Sequence, residues 1–285
     1  MFSLSLFSSP YALFLLLLLA LIIGSFLNVV IYRLPLILMK NWRAECLTFL
    51  NEIQPEPLNE QHLSLAWPSS HCPHCKTPLK PWHNIPLFSY IWLRGRCHQC
   101  KQGISFRYPL IEILSVLLTF LAYYQAGWSL AGLYLMVGGL LLLVLTFIDL
   151  DTQFLPDGLN YTFLWLGLAA NTQGLFASLP DAIYGAIAGY LILWIVSRLF
   201  LLLRKKEGMG HGDFKLLAGL GAWLGWQYLL PVLLFSSFFG ALIGIICILS
   251  GRLKREQPIP FGPFLASAGW FCMFYGKPLL EWWIR

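Results

Sequence analysis

The chain is built from apolar runs long enough to cross a bilayer, one after another, and this excludes most water-soluble folds. A spanning helix needs about 20 mostly apolar residues, with a range of about 17–25. Runs of this kind occupy residues 11–32, 109–126, 129–148, 159–175, 182–203 and 228–250. Two further candidates are less regular: 214–226 is short and Gly-rich, and 260–280 carries Pro260, Pro263 and Pro278. The expectation is an all-α polytopic membrane protein with about eight transmembrane helices. Composition agrees, since 11% of the 285 residues are charged, against about a quarter in soluble domains. The opening run resembles a signal peptide, but no Lys or Arg precedes Tyr11 and no A-x-A-like site interrupts it before Tyr32. It reads as a retained helix.

The placement of charge gives an orientation. With eight spans and the N-terminus outside, the inner loops are 33–108, 149–158, 204–213 and 251–259, and they hold most of the 19 Lys and Arg residues. The opposite loops, near 127–128 and 176–181, contain none. This bias predicts a cytoplasmic face for the basic loops. It also accounts for the formal charge of +6 through anionic headgroups of the membrane lipids, without nucleic acid.

Loop 33–108 is the one segment large enough for an extramembrane domain, which suggests a division into a first helix (1–32), a cytoplasmic loop domain (33–108) and a membrane domain (109–285). Residues 40–68 of the loop are polar and loosely patterned, and no internal repeat stands out. Its second half holds two CxxC turns, Cys72–Cys75 and Cys97–Cys100. Each such turn sets two thiolates on one side of a tight bend, and two turns close a tetrahedral four-sulfur site of the zinc-ribbon kind. Gly95, between Arg94 and Arg96, supplies the turn before the second pair. A four-thiolate site is closed, so its expected role is structural. Zinc is the expected metal, although iron suits the same ligands. The rival reading is four free or redox-active thiols.

Acidic residues at membrane depth are costly and usually functional. Asp149 and Asp151 end the third apolar run in Phe147-Ile148-Asp149-Leu150-Asp151, and Asp213 follows Gly208-Met209-Gly210-His211-Gly212. The topology puts Asp149 and Asp213 on one face. Two carboxylates brought close cannot both ionise easily, so one stays protonated while the other activates a water. The three glycines would let the backbone bend and approach a substrate. The competing reading makes these aspartates helix ends and caps. A zinc transporter, an intramembrane aspartyl protease of another kind and a non-catalytic zinc-stapled membrane scaffold are the alternatives.

The motifs resemble the type IV prepilin peptidases, a family of GxGD-type membrane aspartyl proteases that cleave prepilin leaders and methylate the new N-terminus. The likeness rests on Gly24-Ser25-Phe26-Leu27-Asn28 through Arg33-Leu34-Pro35, both CxxC pairs, Arg107-Tyr108-Pro109-Leu110-Ile111-Glu112, and the two aspartate motifs. It implies that Asp149 and Asp213 are the catalytic pair, with Asp151 in reserve. It also implies prepilin and pseudopilin substrates, each a short basic leader followed by an apolar helix, processed at the cytoplasmic face of a bacterial inner membrane. S-adenosylmethionine is the implied methyl donor. No Gly-rich strand–turn–helix fingerprint for it is present, so no residue is assigned to it. Asp151, Asp157 and Glu207 are expected to surround the site with negative charge and attract the leader. Glu112 is expected near Arg107 or the active site, and Asn28 in an interhelical hydrogen bond.

Overall fold

In the computed structural model, residues 10–50, 63–205, 208–251 and 259–284 are described, with only the backbone of Pro81 and 277–284. The expected acid Glu207, the basic residues Lys206, Arg252, Lys254 and Arg255, and residues 51–62 of the first loop lie outside the described residues. The described elements are helices: α1 (Pro10–Phe49), α2 (Phe88–Trp92), α3 (Arg107–Ala126), α4 (Leu130–Thr152), α5 (Asp157–Asn171), α6 (Leu179–Arg204), α7 (His211–Leu224), α8 (Leu229–Leu249) and α9 (Gly262–Ile284). No β-strand occurs among the described residues, where isolated bridges join His71 to Pro78 and Arg96 to Gly103.

All eight expected helices are present, but they differ in reach. Among the described residues, five are long and apolar enough to cross a membrane: α1, α3, α4, α6 and the stretch Trp226–Leu249 containing α8. With 15 and 14 residues, α5 and α7 extend only about 21–23 Å at 1.5 Å per residue, short of a hydrocarbon core of about 30 Å. The first helix departs most from expectation. It runs for 40 residues, through Pro35, to Phe49. A proline usually marks a helix end because it disfavours helical geometry in the residue before it, but helices in membrane proteins accommodate it where neighbours satisfy the freed groups. Residues 40–49, expected to be loosely patterned, are therefore helical.

The chain divides into two compact units, residues 1–120 and 121–285. In the first, the Gly24–Arg33 motif is a junction. A methyl group on Gly24 would collide with the Ser115 hydroxyl and the Glu112 backbone, so α1 and α3 lie in close contact there. Ser115 Oγ donates to Ala20 O across the contact at 2.8 Å. Asn28 Nδ2 donates to Tyr108 O at 3.2 Å, the interhelical bond its apolar surroundings suggested. Arg33 is buried, and its guanidinium donates to the carbonyls of Ser64 (3.0 Å), Leu65 (3.3 Å) and Pro68 (2.7 Å). It thereby fastens the start of the described loop to α1.

In the second unit, α7 is the centre. Its residues Leu216–Leu224 are all buried, packed mainly by α5, α6 and α9. Glycines set the closest approach. A methyl group on Gly185 of α6 would meet the Gly221 carbonyl of α7, and one on Gly221 would meet Gly185. One turn on, Gly189 lies against the Leu217 backbone in the same way. Gly185 and Gly189 form the small-xxx-small spacing that lets membrane helices touch backbone to backbone. At the far end of α7, Trp223 stacks on Phe163 of α5 with centroids 5.4 Å apart, and its indole N–H donates to Phe163 O at 2.8 Å. Gly138 of α4 and Gly167 of α5 leave room for this ring. Asn171 closes the same end: its Nδ2 donates to the carbonyls of Ala222 (2.8 Å) and Trp223 (3.0 Å). Its Oδ1 accepts from the N–H groups of Phe176 (3.1 Å) and Ala177 (3.0 Å).

Because the Gly185–Gly221 contact is backbone on backbone, no side-chain rotation can relieve an added group. Gly221→Val is expected to cost at least about 3 kcal/mol, the upper end for overpacking. Gly210→Ala, where a methyl group meets open space, is expected to be neutral. Thermal unfolding of the two variants in detergent, followed by circular dichroism, checks the contrast.

Candidate active site and four-cysteine module

The aspartate site forms where α4 ends and α7 and α9 begin. Asp149 lies one turn from the end of α4, buried at 5% exposure, whereas Asp151 is exposed. Helical geometry explains the difference, because residues two apart face about 200° from one another. The Gly262 N–H, at the start of α9, donates to Asp149 Oδ2 at 3.0 Å. Asp213 stands in the first turn of α7, at 8% exposure, close enough to Asp149 for the two charges to interact. The two carboxylates that the sequence separates widely are therefore neighbours, and Asp151 is turned away.

Leu155, in the short turn between α4 and α5, is the spacer of this site. It is buried, and methyl groups added to Gly212 or to Gly262 would both run into it, at 2.8 Å and 3.3 Å. A methyl group on Gly262 would also come within 2.7 Å of Asp149 Oδ2. Glycine at 212 and 262 thus lets the starts of α7 and α9 close on the turn that follows Asp149. The expected bend is present at Met209, but it does not use the left-handed freedom of glycine. None of Gly208, Gly210 and Gly212 has a left-handed φ, and Gly210 is ordinary extended backbone (φ −73°, ψ 147°). Gly212 is required for close approach, and Gly208 lies against the Phe200 ring.

Other sequence candidates are placed as follows. Asp157 accepts from Lys215 Nζ at 2.6 Å, so its charge is neutralised by the residue two after Asp213, which offsets the leader-attracting role expected of it. Lys215 also lies 5.3 Å from the Tyr161 ring. His211 is exposed, with its ring 5.2 Å from Phe214. Arg198 is exposed over Trp194, as expected for a side chain reaching towards the interface. In the first unit, Glu112 is buried, and its Oε2 accepts the Leu87 N–H at 2.8 Å. The Ser25 hydroxyl also bonds Glu112.

The cysteine module is a repeated turn, a repeat the sequence reading does not find. In the first turn, Cys72 N donates to Thr77 O and Lys76 N to Cys72 O; in the second, Cys97 N donates to Gln102 O and Lys101 N to Cys97 O. Lys76 (φ 58°) and Lys101 (φ 61°), each directly after its CxxC, are both left-handed. The shared signal was Cys-x-x-Cys-Lys. Gly95 before the second turn is left-handed too (φ 65°). Cys72 Sγ lies 3.8 Å from Cys100 Sγ, and Cys75 Sγ lies 3.9 Å from Cys97 Sγ. All four sulfurs fall within 4.8 Å of one another. A tetrahedral ion with metal–sulfur bonds of about 2.3 Å needs sulfurs about 3.8 Å apart, so the donor set fits a metal. The thiols are already unlike. Hydrogen bonding to the Thr77 hydroxyl and backbone brings Cys75 down to about 6. Cys100 is pushed up to about 11, because burial and the neighbouring sulfurs outweigh the lowering by the Gln102 backbone.

Fold and site together define a multi-pass helical membrane protein with a buried aspartate pair and a module able to hold a metal ion. Residues 18–126 match the model of the bacterial peptidase A24 N-terminal domain, and residues 136–245 that of the type IV leader peptidase family. Proteins of Aeromonas salmonicida (strain A449) and Legionella pneumophila, each named prepilin leader peptidase/N-methyltransferase, are 48% and 46% identical to it. The first aligns over 93% of this chain and 91% of its own length, the second over 93% and 92%. A protein of the same name from Pseudomonas aeruginosa is 48% identical over 92% of this chain and 90% of its own. No solved structure matches. The chain belongs to the type IV leader peptidase family.

Two outcomes follow from this geometry. Gly262→Ala is expected to lower both the turnover of a cleavage substrate, at least tenfold, and the melting temperature, since the methyl group presses on the Asp149 carboxylate and on Leu155. The cysteine module is expected to hold one metal ion per chain by elemental analysis. Its ligands bind as thiolates, so protons compete with the metal. The stability it lends is present at neutral pH and lost as pH falls, and metal release on acidification, with four thiols becoming reactive, is the measurement.

Proposed function

We propose that this protein hydrolyses the leader peptide bond of prepilins and pseudopilins with Asp149 and Asp213 as the catalytic pair, and methylates the amino terminus so released. The observation that carries the proposal is the meeting of two buried carboxylates from α4 and α7 at a site within charge–charge range. The names of the relatives supply the substrate class.

Two carboxyl groups sharing a low-dielectric site titrate as a pair, one ionised and one protonated. The Gly262 N–H, directed at Asp149 Oδ2, is suited to stabilise negative charge there, which assigns Asp149 the ionised role and Asp213 the protonated one. In hydrolysis, Asp149 takes a proton from a water as its oxygen adds to the scissile carbonyl carbon. Asp213 gives its proton to the carbonyl oxygen. Collapse of the tetrahedral adduct breaks the carbon–nitrogen bond: the proton held by Asp149 passes to the departing amine, and one hydroxyl of the adduct returns its proton to Asp213, which restores the pair.

The basic loops support a site at the cytoplasmic face of a bacterial inner membrane, where a basic leader would stay in water while the apolar helix behind it remains in the bilayer. In this reading, residues 33–108 are the cytoplasmic module and 109–285 the peptidase domain. Zinc, held by Cys72, Cys75, Cys97 and Cys100, would tie together a loop segment with little apolar core. S-adenosylmethionine is the methyl donor that the family implies; no residue is assigned to it.

The test is cleavage of a purified prepilin by wild-type and variant proteins in lipid. Asp149→Asn and Asp213→Asn are each expected to lose about 10²–10⁴-fold in rate, the span typical of a general acid–base group, while Asp151→Asn retains most activity. Normal cleavage by either of the first two, with folding intact, rejects the catalytic pair.

A further inference from the structure

A cleft of about 450 Å³ opens between α6, α8 and the start of α9. Its walls are apolar: Ile192 and Val196 from α6, Leu233 from α8, and Phe261 and Phe264 at the start of α9, with Met209 of the glycine loop at one end. Two of these segments are also parts of the aspartate site. Phe261 immediately precedes Gly262, whose N–H binds Asp149, and Met209 precedes Asp213 by four residues in the loop that leads into α7. The cleft is therefore lined in part by the two segments that lead directly into the aspartate site.

The remaining wall is unusual for a surface that faces only lipid. On α8 it is formed by Ser237, Gly240 and Ala241, with Ser237 and Ala241 exposed and Gly240 half-exposed. Small residues on a membrane helix allow another helix backbone to approach closely, whereas an acyl chain gains nothing specific from them. The α8 wall runs from Leu233 to Ala241, about 12 Å of helix at 1.5 Å per residue, or a little over two turns. At one end of that length Gly240 packs on Phe264, two residues after the Gly262 that binds Asp149.

We propose that this cleft seats the first two turns of the substrate's apolar helix, the residues directly after the cleaved bond, with the helix backbone against Ser237, Gly240 and Ala241. The inference rests on the peptidase reading and adds to it the site that recognises the mature segment. A substrate cut at its junction between a polar leader and an apolar helix needs both halves held, and the aspartates hold neither. The cleft holds the apolar half in register, so that the carbonyl before it lies at Asp149 and Asp213. Its small-residue wall selects a helix with a slim face near its start and rejects one with bulky residues there.

The experiment uses the full-length protein in lipid and a prepilin substrate. Ser237→Trp and Ala241→Trp fill the cleft and are expected to lower kcat/KM for the prepilin at least tenfold, mostly through KM. Leu234→Trp and Leu242→Trp, exposed on the same helix outside the cleft, are expected to leave it within about twofold. In parallel, the Asp213→Asn protein is incubated with a prepilin carrying a photoreactive residue at successive positions along the first two turns of its apolar helix. Adducts on the α8 wall or on Ile192 and Val196 support the inference. Adducts confined to other helices, or labelling of the cleft by a photoreactive phospholipid that the prepilin does not displace, overturn it. Unchanged kcat/KM in both cleft variants, with wild type cleaving and Asp149→Asn inactive, overturns the cleft while leaving the peptidase reading intact. Failure of the wild-type protein to cleave overturns both.

Discussion

The second unit depends on a backbone contact. At Gly185 and Gly221 two helices meet with nothing between them but main chain, and that closeness allows α7 to sit inside the bundle instead of beside it. A helix surrounded on every side in a membrane cannot be held by the hydrophobic effect alone, because lipid is as apolar as its neighbours. Contact density and hydrogen bonds have to hold it. The far end of α7 has both, in the Trp223–Phe163 stack and the four bonds of Asn171. With that end fixed, the other end can present an acid to another acid, an arrangement that by itself destabilises the fold.

The same reasoning explains the glycines near the aspartates. Leu155 fills the space between the starts of α7 and α9, and glycine at 212 and 262 is what allows both to reach it. Bringing Gly262 that near puts its N–H on Asp149. A packing requirement and a chemical one are met by a single missing side chain. In the first unit, Arg33 likewise combines two roles: it is a cation at the expected exit of the first span, yet it is buried and fully engaged with loop carbonyls.

Much of this was legible in the sequence. Apolar run length found every long helix, the CxxC spacing found the four sulfurs, and the aspartate motifs pointed to Asp149 and Asp213, which the fold brings together. What was hidden has physical causes. Pro35 reads as a helix end because local sterics favour one, but the contacts of α1 override them. Asp157 reads as a free acid because its partner Lys215 comes from another helix. Apolarity alone cannot distinguish a short buried helix from a spanning one, so α5 and α7 look like spans although they lack the length. Gly262 lies among prolines at the irregular start of the last run, where nothing local marks it as a partner of an acid in α4. The repeated turn in the cysteine module lies in hydrogen-bond register, which the CxxC spacing only hints at.

The shortness of α7 also bears on how the protein is made. A segment of 14 residues with Asp213 in its first turn and Lys215 beside it has little reason to leave water for lipid by itself. It gains a stable place in the membrane only when a receiving surface is already there. The chain supplies that surface in order of synthesis: α5, with Asp157 waiting for Lys215, and α6, with its glycine face, emerge before it. The membrane insertion of α7 is in this sense a docking step onto earlier helices. The aspartate pair therefore comes into being late, when most of the bundle that shelters it already stands.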